Sequence, residues 1–411
     1  MNFVVLAIPL FLSLILIELI IDWRKKSNTY QFNDAINSIN LGMMSQVLGL
    51  AKKALQFSVY AVVFQYFALF EFDFSSPYFW IFAFIAYDFC YYWSHRMGHE
   101  VNIFWASHVV HHQSEEYNLT TALRQTSGSF LNFIFYLPLA VIGIDPLAIV
   151  AVGSLNLVYQ FWVHTKHINK MPDWYEYVFV TPSNHRVHHA QNPIYLDKNY
   201  GGVFILWDRL FNTYHPELDE EPVIFGITKP LASWNPIWAN AEFYWNLILD
   251  AFRTKHWKDK IAIWFKPTGW RPKDMNEDYP YPVFNPYQQV KFDVALTMMQ
   301  KLYVLIQHMS LIAIVIFLLL NAVTFSATHV FYAASGFLVF VFSLGRFQQK
   351  QSGAYILEMV KNVLFTGVVC SGVTDIQHSM IIGLAWFALS TILLILSHPT
   401  SEKQQEQQVI K

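Results

Sequence analysis

Seven apolar runs constrain this chain more than any other feature. They cover residues 3–21, 47–70, 77–93, 302–320, 328–345, 354–370 and 379–397, each close to the roughly 20 residues a helix needs to cross a bilayer core. Backbone N–H and C=O groups find no water partner at that depth, so runs of this kind must be helical. The expected fold is an all-α multi-pass membrane protein, a transmembrane helical bundle with a histidine-rich cap on its cytoplasmic side. Composition agrees, with 54% hydrophobic and 14% charged residues against about 25% charged in ordinary soluble domains. Many Trp and Tyr residues stand near the run ends, where interfacial belts place them. A formal charge of −2 with no basic run longer than three residues argues for no nucleic-acid partner. Cys90 and Cys370 lie inside apolar segments and suggest neither a disulfide framework nor a cysteine zinc site.

Between the runs the chain is more irregular. Glu18 interrupts the first run and DWRKK follows it; this is too long, and polar at the wrong end, for a signal peptide, so the segment is expected to stay attached. Residues 130–163 are apolar but divided by Gly143, Asp145 and Pro146. Each arm is about 21 Å of helix, short for a full span, and a re-entrant or tightly packed hairpin is expected. Residues 165–300 are polar and rich in Trp, Pro and charge, as a folded cap would be. No internal repeat is visible. The expected organisation is a membrane domain over 1–300, further transmembrane helices over 301–400, and a polar tail over 401–411.

Orientation follows from basic residues, which prefer cytoplasmic loops. With an outside N-terminus the outer loops are 71–76, 321–327 and 371–378, and none contains Lys or Arg. Lys361, with Glu358 one turn away, is the one basic residue within a span rather than at a cytoplasmic end. The histidine-rich segments then face the cytoplasm of a bacterial inner membrane or the endoplasmic reticulum.

Those segments carry the chemistry. His95 and His99 are spaced i, i+4, while His108, His111 and His112 follow within the same eighteen residues, and His185, His188 and His189 repeat the second spacing. On a helix each set shares a face. Neutral imidazole ligates iron, zinc and copper well, and eight exceed what one ion can use, so two ions are the economical reading. Adjacent helical residues diverge by about 100°, which lets His111 and His112, or His188 and His189, serve different ions. A zinc protease of the H-E-x-x-H kind is excluded because Ile103 stands where the second histidine belongs. A ferritin-like site is excluded because no Glu-x-x-His pair occurs. An all-histidine pair of metals beside a membrane suits dioxygen activation.

The boxes HRMGH, HVVHH and HRVHH resemble those of the fatty acid hydroxylase and sterol desaturase superfamily, non-haem di-iron membrane oxygenases of lipids. The resemblance assigns His95, His99, His108, His111, His112, His185, His188 and His189 as iron ligands. It adds His164 in FWVHT, and leaves open whether Gln160 or His167 contributes. The surroundings, HHQSEEYNLTTALRQ, TPSNHRVHH and DKNYGGVFILWDRLFNTY, are similar to the alkylglycerol monooxygenase-like branch. That likeness implies hydroxylation of the carbon next to an ether oxygen, release of a fatty aldehyde, two iron ions, O2, and tetrahydropterin as external reductant. An electron-transfer protein is the other donor, since no HPGG haem motif of a fused cytochrome b5 is present. The rival within the class is a sterol or fatty-acid hydroxylase or desaturase. From another class comes a divalent-metal transporter or metal-binding membrane protein, which should place its ligands at mid-membrane on broken helices rather than at span ends.

Two carboxylates are candidate catalytic residues. Asp88 lies seven residues before His95 on nearly the same helical stripe, where a buried carboxylate needs a partner and would orient a ligand imidazole. Glu100 flanks His99. Glu115, Glu116, Tyr117, Asn118 and Arg124 form a polar stretch suited to lining a mouth for a lipid headgroup.

Overall fold

A computed structural model describes residues 3–322, 324–370 and 376–398. Among these residues all regular structure is helical, and the β contacts are three isolated antiparallel bridges. Five helices are long and apolar enough to cross a membrane: Leu6–Lys25, Phe32–Phe67, Met298–Leu320, Ala327–Gln348 and His378–Leu396. Two of the seven expected spans are not among them. Pro77–Glu100 has the length, but its Tyr and Trp residues, Asp88 and a polar last turn dilute its hydropathy. Ala354–Cys370 is 17 residues long. The tail from 401 and most of the 371–378 loop lie outside the described residues.

The chain forms two compact units, Met1–Ala232 with Trp238–Lys291, and Ser233–Ile237 with Phe292–Lys411. In the first, helix Phe32–Phe67 begins fifteen residues before the expected span, because Asn33, Asp34, Asn37, Ser38 and Asn40 are polar yet buried. At 36 residues it is about 54 Å long, more than a bilayer core requires. Hydropathy leaves its polar half outside the apolar run, and hydrogen bonds hold that half buried as helix. Arg124 donates to Asn37 Oδ1 (3.1 Å) and Ser38 Oγ (3.3 Å), and Ser114 donates to Asp34 (2.6 Å).

The segment expected to form a hairpin breaks at the expected place into unequal arms, which pack mainly on other helices rather than on each other. A 3-10 turn, Asn132–Tyr136, leads into the short helix Leu137–Ile142, and the return helix is Pro146–Phe161. Gly143 closes the first arm at φ 113°, and a Cβ there would sit 2.0 Å from the Phe70 carbonyl oxygen. Only glycine suits both the left-handed conformation and the close approach. Asp145 then caps the return helix by accepting from Leu147 and Ala148 N–H, with Pro146 in the first turn, where no donor is needed. The return helix packs against Pro77–Glu100 and Phe3–Lys25, burying Ala83, Leu139, Ile144, Ala148 and Val152 in one cluster. Glu18, the polar interruption of the first run, is buried, and its carboxylate accepts from Tyr30, from Leu119 N–H (2.8 Å) and from Thr165 (2.5 Å). It ties the first helix to segments on both sides of the histidine site.

In the second unit each of the four helices packs on the next, and the last returns to the first. Glu358 and Lys361 pair at 2.5 Å as their spacing suggests. Ser343 and Tyr303 also donate to Glu358, while Lys361 donates to Gln307 (2.7 Å). Both members of the pair thus have further hydrogen-bond partners, the condition under which a buried ion pair is tolerated.

Candidate metal centre

The last two turns of helix Pro77–Glu100 bring His95 and His99 to one face. His108 precedes the single-turn helix Val109–His112, and helix Pro182–His188 supplies His185 and His188, with His189 as its C-cap. With His164, three residues beyond the end of helix Pro146–Phe161, these elements gather nine imidazoles into two groups. His95, His99, His108, His112 and His188 form one; His111, His164, His185 and His189 form the other, and within each the ligand atoms lie within 4.8 Å of one another. Neighbours in sequence are parted as helical divergence demands. The rings of His111 and His112 stand at 89° and those of His188 and His189 at 88°, each ring joining a different group. The groups abut where His112 and His189 stack at 4.3 Å.

The donor atoms fit a metal better than they fit one another. His95 and His108 Nε2 are 3.0 Å apart, His108 and His112 Nε2 3.2 Å, His111 and His164 Nε2 3.3 Å, and His164 and His185 Nε2 3.0 Å. Ligands about 2.1 Å from a shared ion stand roughly 3.0 to 3.4 Å apart. The Nε2 atoms of His99, His188 and His189 are buried without a hydrogen-bond partner, a cost that a metal would remove.

Backbone carbonyls fix the tautomers. His95 Nδ1 donates to Tyr200 O (2.7 Å), His111 to Arg124 O (2.9 Å), His164 to Gln160 O (2.9 Å) and His188 to Lys198 O (3.0 Å). A proton held on Nδ1 leaves the Nε2 lone pair free for a metal. Burial pushes His108, His112, His185, His188 and His189 well below the usual imidazole range and His111 down to about 4. Desolvation disfavours the charged form, so at neutral pH the donors are neutral, the form that ligates.

The two candidate carboxylates take other roles. Asp88 is fully buried but touches no imidazole. It accepts from Asn156 (2.6 Å), Val203 N–H (2.9 Å), Phe204 N–H (3.1 Å) and the Trp207 indole (2.9 Å). Its stripe does face the site, but the loop from Gly201 to Phe204 lies between. Glu100 turns outward into a partly exposed i, i+4 pair with Arg96 at 2.8 Å. His167 stands outside both groups, 4.0 Å from Asp22, and the Gln160 amide is engaged elsewhere, accepting from Tyr91 (2.7 Å) and donating to Asn156 (2.5 Å). The expected headgroup mouth is also absent from its place. Tyr117 is buried and donates to Val163 O, Asn118 caps helix Leu119–Leu123, and Arg124 is 1% exposed with Asp34 3.7 Å away. Glu115 and Glu116 accept from Gln289 and Lys291.

A residue that pattern reading passes over holds the site instead. Asp208 is fully buried and accepts from Tyr200 N–H, Gly201 N–H and Thr213, each at 2.7 Å. Gly201 N–H belongs to the same peptide whose carbonyl receives the His95 proton. The signal was the pair Gly201–Gly202: a Cβ on Gly201 would lie 2.6 Å from Phe204 O, and one on Gly202 2.8 Å from Asp88. Carboxylates approach this turn so closely that side chains do not fit.

Comparison with known proteins places this geometry. The fatty acid hydroxylase family model matches residues 80–213, the stretch that carries all nine histidines. Alkylglycerol monooxygenase of Danio rerio is 36% identical over 87% of this chain and 80% of its own length. That of Homo sapiens is 33% identical over 89% and 82%. Ornithine lipid hydroxylase OlsE of Rhizobium tropici is 25% identical over 35% of the chain and 44% of its own. No solved structure matches.

Proposed function

Because the chain belongs to the alkylglycerol monooxygenase family, and is therefore an oxidoreductase of lipids in a membrane, we propose that it hydroxylates the carbon next to the ether oxygen of an alkylglycerol. The observation that carries the reading is the convergence of nine neutral imidazoles into two adjacent groups. His95, His99, His108, His112 and His188 would hold one iron, and His111, His164, His185 and His189 the other. When bound, the pair would supply the activation of O2 that places one oxygen atom in the C–H bond and releases the other as water, a four-electron reduction in which the C–H bond gives two electrons and the external donor two. The product is a hemiacetal, which breaks its C–O bond to give a fatty aldehyde and glycerol. Two electrons and two protons come from a separate donor, a tetrahydropterin by kinship or an electron-transfer protein. The protein's own part is to hold the Nδ1 protons of His95, His111, His164 and His188 on carbonyls, keep the imidazoles neutral, and exclude water by burial.

Purified protein given an alkylglycerol, a tetrahydropterin and 18O2 is expected to release fatty aldehyde carrying one labelled oxygen before exchange, detected by rapid trapping and mass spectrometry. Ether lipid left intact while a sterol or acyl chain gains oxygen would move the protein to another branch of the superfamily. Metal movement without oxygen uptake would favour a transporter.

The site is proposed to face the cytoplasm, with residues 1–300 as the oxygenase domain and the helices over 301–400 as a separate bundle. A cysteine at Thr324, in the expected outer loop, should react with a membrane-impermeant maleimide in intact cells, and one at the exposed Glu220 should not. The opposite pattern reverses the orientation.

A further inference from the structure

Helices Pro236–Arg253 and Trp257–Phe265 carry an apolar surface that nothing in the first unit covers. Their inner sides are occupied, with Ala239 in one cluster and Leu247 and Ile263 in another. On the outer side Trp245, Ile248 and Phe252 follow at helical spacing, and Trp257, Ile261 and Phe265 continue at intervals of four. Phe252, Trp257, Ile261 and Phe265 are 65–81% exposed, far beyond the scattered single apolar residues of an ordinary surface. The charge beside this stripe is one-sided. Between residues 253 and 266 stand five basic residues, Arg253, Lys255, Lys258, Lys260 and Lys266, and one acid, Asp259. The acids of the next helix, Lys273–Asp278, offset part of this: Asp278 pairs with Lys255 and Glu277 with Lys273, and Asp274 accepts from Thr254 and Lys255 N–H, which leaves Arg253, Lys258, Lys260 and Lys266 without a carboxylate partner among the described residues.

Beside the stripe lies a cleft of about 290 Å³ lined by Asn246, Arg253, Arg271, Tyr279 and Tyr281, among others. Its two guanidinium groups differ. Arg271 is neutralised by Asp250 through contacts of 2.6 and 2.9 Å and lies over the Tyr281 ring. Arg253 rests 4.6 Å over the Tyr279 ring and has no carboxylate partner among the described residues. Two tryptophans at the edge of an apolar stripe, basic residues along its flank and an uncompensated arginine at a cleft are what an anionic lipid surface recruits.

We propose that this face lies on the surface of the membrane in which the chain is embedded, and that Arg253 takes the phosphate of an anionic phospholipid at the cleft. A guanidinium suits that ligand because its planar fork matches phosphate oxygens. Tyr279 beneath it holds the side chain ready by cation–π contact. The inference is independent of the reaction, since none of these residues belongs to either histidine group.

Full-length protein in nanodiscs of phosphatidylcholine with phosphatidylglycerol tests both parts. Nitroxide labels placed by Phe252→Cys and Ile261→Cys should collide with O2 more readily than with a water-soluble nickel chelate, and a label at the exposed Lys273 should show the reverse. Labels at 252 and 261 that behave as aqueous would overturn the membrane-facing assignment, and spin–spin broadening between copies would give the face to a second chain. In native mass spectrometry Arg253→Gln is expected to reduce retained phosphatidylglycerol relative to phosphatidylcholine by about tenfold, the effect of one charge-assisted hydrogen bond. Both variants change exposed side chains and so leave the core intact. Unchanged retention, or an equal drop in Lys258→Gln, would overturn the headgroup site and leave only diffuse charge attraction.

Discussion

Replacing His111 or His188 with alanine is expected to abolish oxygenase turnover while leaving an inserted, folded protein. The two residues sit in different groups, and activation of O2 between two metals requires both. Removing a partner one step outside a metal's ligand shell already costs about 10–100-fold, so loss of a ligand should exceed that. Metal content separates this from misfolding. Elemental analysis should give about two transition-metal ions per parent chain and a value falling toward one in each variant. Overexpressed protein is expected to carry some zinc, because imidazole sites hold Zn2+ more tightly than Fe2+. His215, whose ring packs on Tyr195, and the exposed His256 should tolerate alanine with both metals retained. Equal loss in His215→Ala and His111→Ala would remove the basis for selecting the nine. Folded parent protein with no bound metal would remove the basis for the reading as a whole.

The histidines were legible because their pattern is local. Spacing of i, i+3 and i+4 defines a helical face, and the roughly 100° that a helix turns per residue sends His111 and His112 into different groups. The break between helices Leu137–Ile142 and Pro146–Phe161 was legible for the same reason, since Gly143, Asp145 and Pro146 each have one conformational use. What the sequence concealed are partners distant in the chain. The carbonyls that orient the imidazoles carry no side-chain signature, and His95 meets Tyr200 across 105 positions. Asp88 shows the limit of pattern reading: its stripe was right, but the Gly201–Phe204 turn occupies the space between carboxylate and imidazole. Polar residues misled in two places. Asn33 to Asn40 lies outside the expected span because hydropathy does not register that Arg124 bonds two of its members. Arg124 itself reads as a surface cation, whereas it bridges the long helix to Val110 O (2.9 Å) beneath the second histidine box.

That concealed scaffold leads to the second large effect. The peptide joining Tyr200 to Gly201 accepts the His95 Nδ1 proton on its carbonyl and gives its own N–H to Asp208. Amide resonance couples the two ends: a carboxylate on the N–H raises electron density on the oxygen, which strengthens the imidazole bond and makes His95 Nε2 a better donor. Burial holds the Asp208 carboxyl up to about 6, so at neutral pH it is largely ionised. The same loop presents Lys198 O to His188, and Asn199 N–H meets Thr213 O, whose side chain donates to Asp208. Two ligands of the five-histidine group therefore depend on one carboxylate, while none of the orienting bonds found for the other group reaches it. Asp208→Asn keeps the volume but removes the charge and turns an amide NH2 toward one of the two backbone donors, Tyr200 N–H or Gly201 N–H. It is expected to weaken metal retention in the five-histidine group by about 10–100-fold, seen as faster loss of one ion of two to a chelator, with the other ion released at the parent rate. Asp88→Asn, acting on Val203 and Phe204 further along the turn, should show a smaller effect of the same kind. Release of both ions at the parent rate from Asp208→Asn would reduce the carboxylate to a loop anchor, and equal acceleration of both would mean that the loop supports the whole site rather than His95 and His188.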